Sequence, residues 1–337
     1  MSFNLQSVKT EAHDLLTTKP RIQGAIEILR GRSSAMTRGT PLSSRAEAFA
    51  PFFIIGSGRS GTTLLRRILT TSPSIHIPPE SNVLGSAIRS FSRLNYAPWE
   101  ILVDMTLRTY ATHPQFDHFR IDVFDLRDDL ITMNPRRRSL ATIVDSIYRL
   151  HCSSQHDAPC ERWGDKSPFH TVHAFRIARV FPFAKFIHMM RDGVDVAYSF
   201  AQANLASLDD AARMWSRRTR MAIRFAREHP ESTYELKFED LVADPVSHIN
   251  DLLTFLNVTA DGIDVGSTDH VSSLGDANVL KHHKRIRHPI DPTRVSNGRQ
   301  NLPAHIVERL TTIMRTELKA SGYLDHSVAI AAQTPVR

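Results

Sequence analysis

Pro51-Phe52-Phe53-Ile54-Ile55-Gly56-Ser57-Gly58-Arg59-Ser60-Gly61-Thr62-Thr63-Leu64-Leu65-Arg66-Arg67-Ile68-Leu69 is the stretch from which the rest of the chain can be read. Phe52 to Ile55 is apolar at every position, not at every second one. That pattern belongs to a short strand covered on both faces, as in a parallel sheet. Gly56, Gly58 and Gly61 punctuate a loop, and Leu64, Leu65, Ile68 and Leu69 then recur at helical spacing. A strand, a glycine-rich loop and a helix in this order curl the backbone so that several N–H groups face one anion. The helix adds its positive N-terminal end, and Thr62 and Thr63 add hydroxyl donors.

One position narrows the ligand. A loop that holds a nucleoside triphosphate carries Lys directly after its last glycine, reaching the β- and γ-phosphates. Here that position is Thr62, and the cation lies inside the loop as Arg59. This layout suits a ligand with one 5'-phosphate, whose attached group Arg59 can reach.

Outward from this unit, the chain alternates. Ser74 to Ile77 and Ala184 to Met190 read as short strands, as does Thr233 to Phe238. Helices are expected over Phe169 to Val180, Val194 to about Asn204, 209–229, Pro245 to Leu256 and Pro303 to Ser321. Two or three more fall within 98–155, broken by Pro114 and Pro135. Arg136, Arg137 and Arg138 read as a solvated run. Strands alternating with helices predict an α/β fold, a P-loop-like parallel β-sheet flanked by helices on both faces. The expected organisation is an N-terminal arm over 1–50, partly helical (Leu15, Leu16, Ile22, Ile26, Leu29), then a single domain over 51–325. An acceptor-side helical insertion occupies about 85–160 of that domain, and 326–337 forms a tail.

Composition bounds the function. The chain has 337 residues, with 41% hydrophobic and 23% charged, the balance of a soluble globular protein. Two cysteines, Cys152 and Cys160, are too few for a disulfide framework and read as reduced thiols. No apolar run reaches the ~18 residues of a membrane span, and Met1 to Thr10 lacks the pattern of a secretory signal. The expectation is a cytoplasmic protein without a transmembrane segment. The net charge of +7 favours an anionic partner. Nucleic acid is disfavoured, because aromatics are 8% of the chain and none interleave with Arg217-Arg218 or Lys281 to Arg287 as a stacking platform requires. Metal is not expected: His170, His173, Cys152 and Cys160 do not form a zinc-type spacing, and His282, His283 and His288 sit in a basic loop.

The segment Gly58-Arg59-Ser60-Gly61-Thr62-Thr63-Leu64 resembles the 5'-phosphosulfate-binding loop of sulfotransferases. Further segments agree in chain order. Arg191-Asp192-Gly193-Val194-Asp195-Val196-Ala197-Tyr198-Ser199 is similar to the family's 3'-phosphate motif, with Arg191 and Ser199 at the matching positions. Trp163-Gly164-Asp165-Lys166-Ser167-Pro168-Phe169 resembles the segment that supplies a lysine near the transferring sulfonate. Phe238 to Pro245 resembles a late strand-to-helix junction, and Val295-Ser296-Asn297-Gly298-Arg299 a C-terminal loop that closes on the 3'-phosphate. The resemblance runs from about Pro51 to Tyr323 and is closest to the tyrosylprotein sulfotransferases and their bacterial relatives. It implies 3'-phosphoadenosine-5'-phosphosulfate (PAPS) as donor, no metal, and binding by Arg59, Ser60, Gly61, Thr62, Thr63, Arg191, Ser199, Asn297, Gly298 and Arg299. The acceptor is a hydroxyl of a small molecule or peptide, and a homodimer stays open. The N-terminal membrane anchor of the animal enzymes is not expected here, and the arm and 85–160 match nothing that fixes the acceptor, so acceptor choice is expected to lie there. A triphosphate-dependent P-loop kinase is the enzymatic alternative, and a nucleic-acid-binding protein the non-catalytic one.

Sulfonate transfer needs a base on the acceptor hydroxyl and cations where charge grows on the sulfonate and the leaving phosphate. The resemblance puts the base at Glu80, twenty-one residues after Arg59, with Arg59 and Lys166 as the cations. Glu80 follows the Pro78-Pro79 turn and is expected to begin a helix on the ligand side of the sheet. His76, inside the preceding strand, is the fallback.

Overall fold

The computed structural model describes residues 39–156, 160–167, 169–259, 262–268 and 288–324. The helix expected within 11–30, the basic run Lys281 to Arg287, His282, His283 and the tail 326–337 lie outside the described residues. Residues 39–50 contain no helix.

Five short strands form one parallel sheet. They are β1 (Phe52–Gly56), β2 (Ile75–His76), β3 (Arg162–Lys166), β4 (Lys185–Met190) and β5 (Thr233–Lys237), in the order β2-β3-β1-β4-β5. α1 (Thr62–Leu69) follows the glycine-rich loop. α2 (Leu84–Leu94), α3 (Trp99–Ala111), α4 (Arg127–Thr132) and α5 (Leu140–Gln155) fill the stretch before β3. α6 (His170–Val180) precedes β4. α7 (Gly193–Gln202) and α8 (Leu208–Glu228) precede β5, and α9 (Phe238–Ala243), α10 (Pro245–Leu256), α11 (Asn297–Asn301) and α12 (Ala304–Ala320) come after it.

The continuous apolar run of β1 works as its pattern requires. Phe53 and Ile55 point into a core with α2, α3, α5, α6 and the end of α8. Phe52 and Ile54 point the other way, onto α1, α9 and α10. All four are at most 1% exposed, each contributing about 1.5–3 kcal/mol of burial. Only glycine allows the neighbouring register: a Cβ on Gly164, opposite Phe52, would lie 2.3 Å from the Phe52 ring. A third cluster joins α7, α8 and α12.

β3 was not expected as a strand. Arg-Trp-Gly-Asp-Lys has no apolar run, and its pairing between β1 and β2 decides it. The strand order carries the functional point. From β1 the chain lays β2 and β3 on one side, then crosses to lay β4 and β5 on the other. In open α/β sheets a ligand crevice forms at such a reversal, beyond the strands' C-terminal ends.

Candidate active site

The C-terminal ends of the strands deliver the sequence-picked residues in sheet order. The turn after β2 carries Glu80, and β3 ends on Lys166. β1 runs into the glycine loop, β4 into Arg191, and β5 into Phe238 and Glu239. Seven of the expected residues, Arg59, Gly61, Thr62, Thr63, Glu80, Arg191 and Ser199, line one cavity of about 790 Å³.

The loop is held in a conformation few residues adopt. Arg59 has φ 67° and Gly61 φ 91°. A Cβ on Gly61 would meet the Phe238 ring at 2.5 Å, so glycine is required there on both counts. Arg59 pays for its left-handed backbone by roughly 1–2 kcal/mol, strain of a kind concentrated at functional sites. Its Nε donates to Ser199 Oγ at 3.1 Å, so the two anion-binding motifs meet directly. Arg191 Nη1 donates to the Arg59 carbonyl at 3.4 Å and Nη2 to the Arg294 carbonyl at 2.9 Å. Its guanidinium lies 4.3 Å over the Phe238 ring.

Behind Arg191, Asp192 caps α7 by accepting from Val194 N–H at 2.7 Å, and Arg299 pairs with its other oxygen at 2.8 Å. Gly298 N–H donates to Asp195 Oδ1 at 2.8 Å. Burial pushes the Asp195 carboxyl up, opposed by Arg191. Asn297, Gly298 and Arg299 are thus a short helix docked on the start of α7, where a closing loop was expected, and they do not line the cavity. Arg299 and Lys166 are both largely covered.

Lys166 is 1% exposed, forms an ion pair with Glu80 and donates to Thr63 Oγ1 at 3.4 Å. Glu80 does not begin a helix, which starts only at Leu84. The neighbouring backbone is committed sideways: Ser167 Oγ accepts from Ser81 N–H at 3.2 Å and donates to Ser81 O at 2.8 Å. Asn82 N–H donates to Gln115 Oε1 at 3.2 Å. Ser167 Oγ also lies 3.1 Å from Asp165 Oδ1, and Asp165 Oδ2 accepts from the Tyr148 hydroxyl with His170 Nε2 2.8 Å away. A buried network therefore braces the Glu80 turn against the end of β3.

The structure adds residues that the motifs did not mark. Arg67, Arg218 and Arg294 join Arg59 and Arg191 in the lining, with His288. The lining carboxylates are Glu80, bound to Lys166, and Asp291, 3.1 Å from Arg294. Arg67 donates to the carbonyls of His288 at 2.7 Å and Val265 at 3.3 Å, and burial lowers its pKa. Phe169, Phe200, Leu205 and Met214 supply an apolar wall. An arginine-rich cavity with one apolar wall favours an anionic ligand with an apolar part. Three buried atoms in or next to the loop, Ser57 Oγ, Ser60 Oγ and Arg191 Nε, have no hydrogen-bond partner among the described residues. They fit a phosphate-bearing ligand. Among the described residues no group of three or more His, Cys, Asp or Glu is arranged to hold a metal.

A model of the Sulfotransferase family matches residues 51–262. The chain belongs to this family. The sulfotransferase is 23% identical to protein-tyrosine sulfotransferase 1 of Danio rerio over 82% of this chain and 72% of that protein. It is 24% identical to the omega-hydroxy-beta-dihydromenaquinone-9 sulfotransferase Stf3 of Mycobacterium bovis, over 62% of this chain and 63% of the other. Its fold is shared with the sulfotransferase domain of the Synechococcus PCC 7002 olefin synthase, at TM-score 0.54 and 22% identity, covering 83% of this chain and 96% of that domain. No helix among the described residues is long and apolar enough to cross a membrane.

His76 lies apart from the cavity of this sulfotransferase. It is buried on β2, with Nε2 2.7 Å from His151 Nδ1 and its ring 5.4 Å from His156. Burial, then the neighbouring histidines, lowers its pKa to about 2; burial, then Arg66, lowers that of His151 to about 4. Both lie below the ordinary 6.5, so the unfolded chain binds more protons than the folded one as pH falls through 6.5. The stability these neutral histidines contribute is present above that pH and is lost progressively towards about 4 and about 2. Urea midpoints taken at about pH 7, 6 and 5 should fall, each histidine contributing up to ~1.4 kcal/mol per pH unit. His151→Asn should flatten that slope. An unchanged slope in the variant would show that the pair does not titrate in this way.

Proposed function

We propose that this sulfotransferase transfers a sulfonate from PAPS to an acceptor hydroxyl, using Glu80 as base and Arg59 and Lys166 as the cations at the reacting end. The observation that carries this reading is the meeting of the Glu80–Lys166 pair, the Arg59 loop and the Arg191–Ser199 pair around one arginine-lined cavity. The donor, when bound, supplies a sulfonate on a phosphate leaving group. The loop N–H groups, Thr62, Thr63 and Arg59 hold its 5' end, and Arg191 with Ser199 its 3'-phosphate. Ser60 and Gly61 belong to the same loop. Asn297, Gly298 and Arg299 act from behind, by fixing α7 and Asp192 beneath Arg191.

Glu80 takes the proton of the acceptor hydroxyl, and Lys166 orients its carboxylate. His76 is poorly placed for that work, being outside the lining and bonded to His151. The kinase alternative loses support, because the buried lysine near the loop pairs with Glu80. The two relatives named above differ in acceptor, one acting on a protein tyrosine and the other on an omega-hydroxy-beta-dihydromenaquinone-9. Sugar, lipid, metabolite and tyrosine hydroxyls therefore all belong in an acceptor screen.

Calorimetry tests the donor assignment. Wild type should bind adenosine 3',5'-bisphosphate (PAP) much more tightly than adenosine 5'-monophosphate. Arg191→Ala and Ser199→Ala should weaken PAP by roughly 10- to 100-fold, the worth of charge-assisted bonds, and the monophosphate far less. Equal losses for both ligands would show that the 3'-phosphate is bound elsewhere.

A further inference from the structure

Arg218 lines the cavity but belongs to none of the motifs. It projects from α8, whose buried stripe runs through Ala211, Trp215, Thr219 and Ala222. Of the other arginines of that helix, Arg213, Arg220 and Arg224 are answered by carboxylates, by Asp210 at 3.7 Å, Glu317 at 2.7 Å and Glu228 at 2.8 Å, and Arg217 and Arg227 are exposed to solvent. Among the described residues no carboxylate stands within ion-pair distance of Arg218. Burial and the adjacent Arg217 both disfavour its charge. A cation kept in a partly desolvated place without a counter-charge is costly, and a bound anion offsets that cost.

Its position says which end of the ligand it meets. Nη1 lies 3.6 Å from the point a Cβ on Gly58 would occupy, so the guanidinium faces the first part of the phosphate loop. The same group lies 5.6 Å from the Phe169 ring, and Phe169 is three residues beyond Lys166. Arg191 approaches the loop from β4, at the Arg59 carbonyl. The same point lies 3.2 Å from the Phe200 ring, so Arg218 stands at the first part of the loop between Phe200 and Phe169, and Phe169 follows the end of β3, where Lys166 and Glu80 pair.

We propose that Arg218 is a further ligand-binding cation of this enzyme and receives the sulfonate end of the donor. The inference rests on PAPS being the donor. PAPS and PAP differ by the sulfonate, so their affinities without acceptor isolate the contact. Arg218→Gln keeps much of the bulk over Phe169 and removes the charge. It should weaken PAPS by roughly 10- to 100-fold and PAP by less than about threefold, while Arg218→Lys should recover part of the PAPS loss. Equal weakening of both ligands would mean that Arg218 only shapes the wall. No weakening of either would mean that it is a strut on Phe169 or serves the acceptor, and both results overturn the proposal. A wild-type protein that binds neither PAPS nor PAP overturns the functional reading and this inference together. Wild type that binds both, with a variant indifferent to the sulfonate, overturns the inference alone.

Discussion

Glu80→Gln should lower sulfonate transfer by roughly 10²–10⁴, the usual worth of a positioned base, while donor affinity stays near that of wild type. The side chain reaches the cavity from a turn that Ser167 and the Ser81 backbone hold in place. Glutamine keeps an oxygen towards Lys166 but cannot accept the acceptor's proton. Lys166 is buried, so removing its counter-charge also costs stability, by about 3–5 kcal/mol when a buried pair is broken outright and less where an amide oxygen remains. The double variant Glu80→Gln, Lys166→Met reads the stability cost alone: it should recover melting temperature relative to Glu80→Gln, while turnover stays low because Lys166 is itself assigned to the reacting end. The measurement is single-turnover transfer of ³⁵S from labelled PAPS to an acceptor identified by labelling a cell extract. His76→Ala, outside the cavity lining, should transfer at a rate close to wild type at neutral pH. Near-normal turnover in Glu80→Gln together with its loss in His76→Ala would give the base role to the histidine.

The fold was legible where local pattern and tertiary role coincide. β1 and β4 are buried runs, β5 is an edge strand with Leu236 inside, and α1, α6, α8, α10 and α12 carry helical stripes ending at Gly, Pro or polar residues, so their ranges in the structure follow the sequence closely. β3 was not legible as a strand, because Arg162-Trp163-Gly164-Asp165-Lys166 is polar and its conformation is imposed by the ladders on either side. The Glu80 turn was misread for a related reason. Its backbone partners, Ser167 and Gln115, are distant in sequence, and nothing local states that the N–H groups of Ser81 and Asn82 are taken.

The site divides along the same line. Residues of the phosphate loop are contiguous, and a strand-to-helix junction leaves them one reading, so Arg59, Gly61, Thr62 and Thr63 could be picked directly. Arg67, Arg218 and Arg294 reach the cavity from the faces of a helix or a loop. For Arg218 the one sequence signal was an arginine three residues after Trp215, at the edge of a buried stripe. That signal says that the side chain is partly covered, not which cavity it enters. Arg299 shows the converse. Its motif was legible, but its guanidinium went to Asp192, because a helix cap leaves carboxylate oxygen available next to the chain's return.

Arg59→Ala should damage binding and chemistry together, in contrast to Glu80→Gln. Arg59 extends from the loop that the proposed reading assigns to the donor's 5' end, and its Nε donates to Ser199, which the same reading assigns to the 3'-phosphate. A cation in that place attracts the anionic ground state, and it attracts more strongly the charge that grows on the leaving oxygen as the sulfonate departs. PAPS affinity should fall by roughly 10- to 100-fold, and single-turnover transfer at saturating donor by a further 10²–10³ or so, the loss typical of one preorganised electrostatic contact. The left-handed backbone at residue 59 does not confuse the comparison, because alanine bears the same Cβ penalty there as arginine. Arg59→Gly would relieve that penalty and still lack the cation, so it should be more stable than Arg59→Ala and equally slow. Lysine restores charge but not the planar fork that can bridge Ser199 and the ligand, and Arg59→Lys should recover affinity more fully than rate. If Arg59→Ala bound PAPS normally and transferred at the wild-type rate, the loop would be a backbone cradle alone, and the reacting end of the donor would have to be served by Lys166 and Arg218.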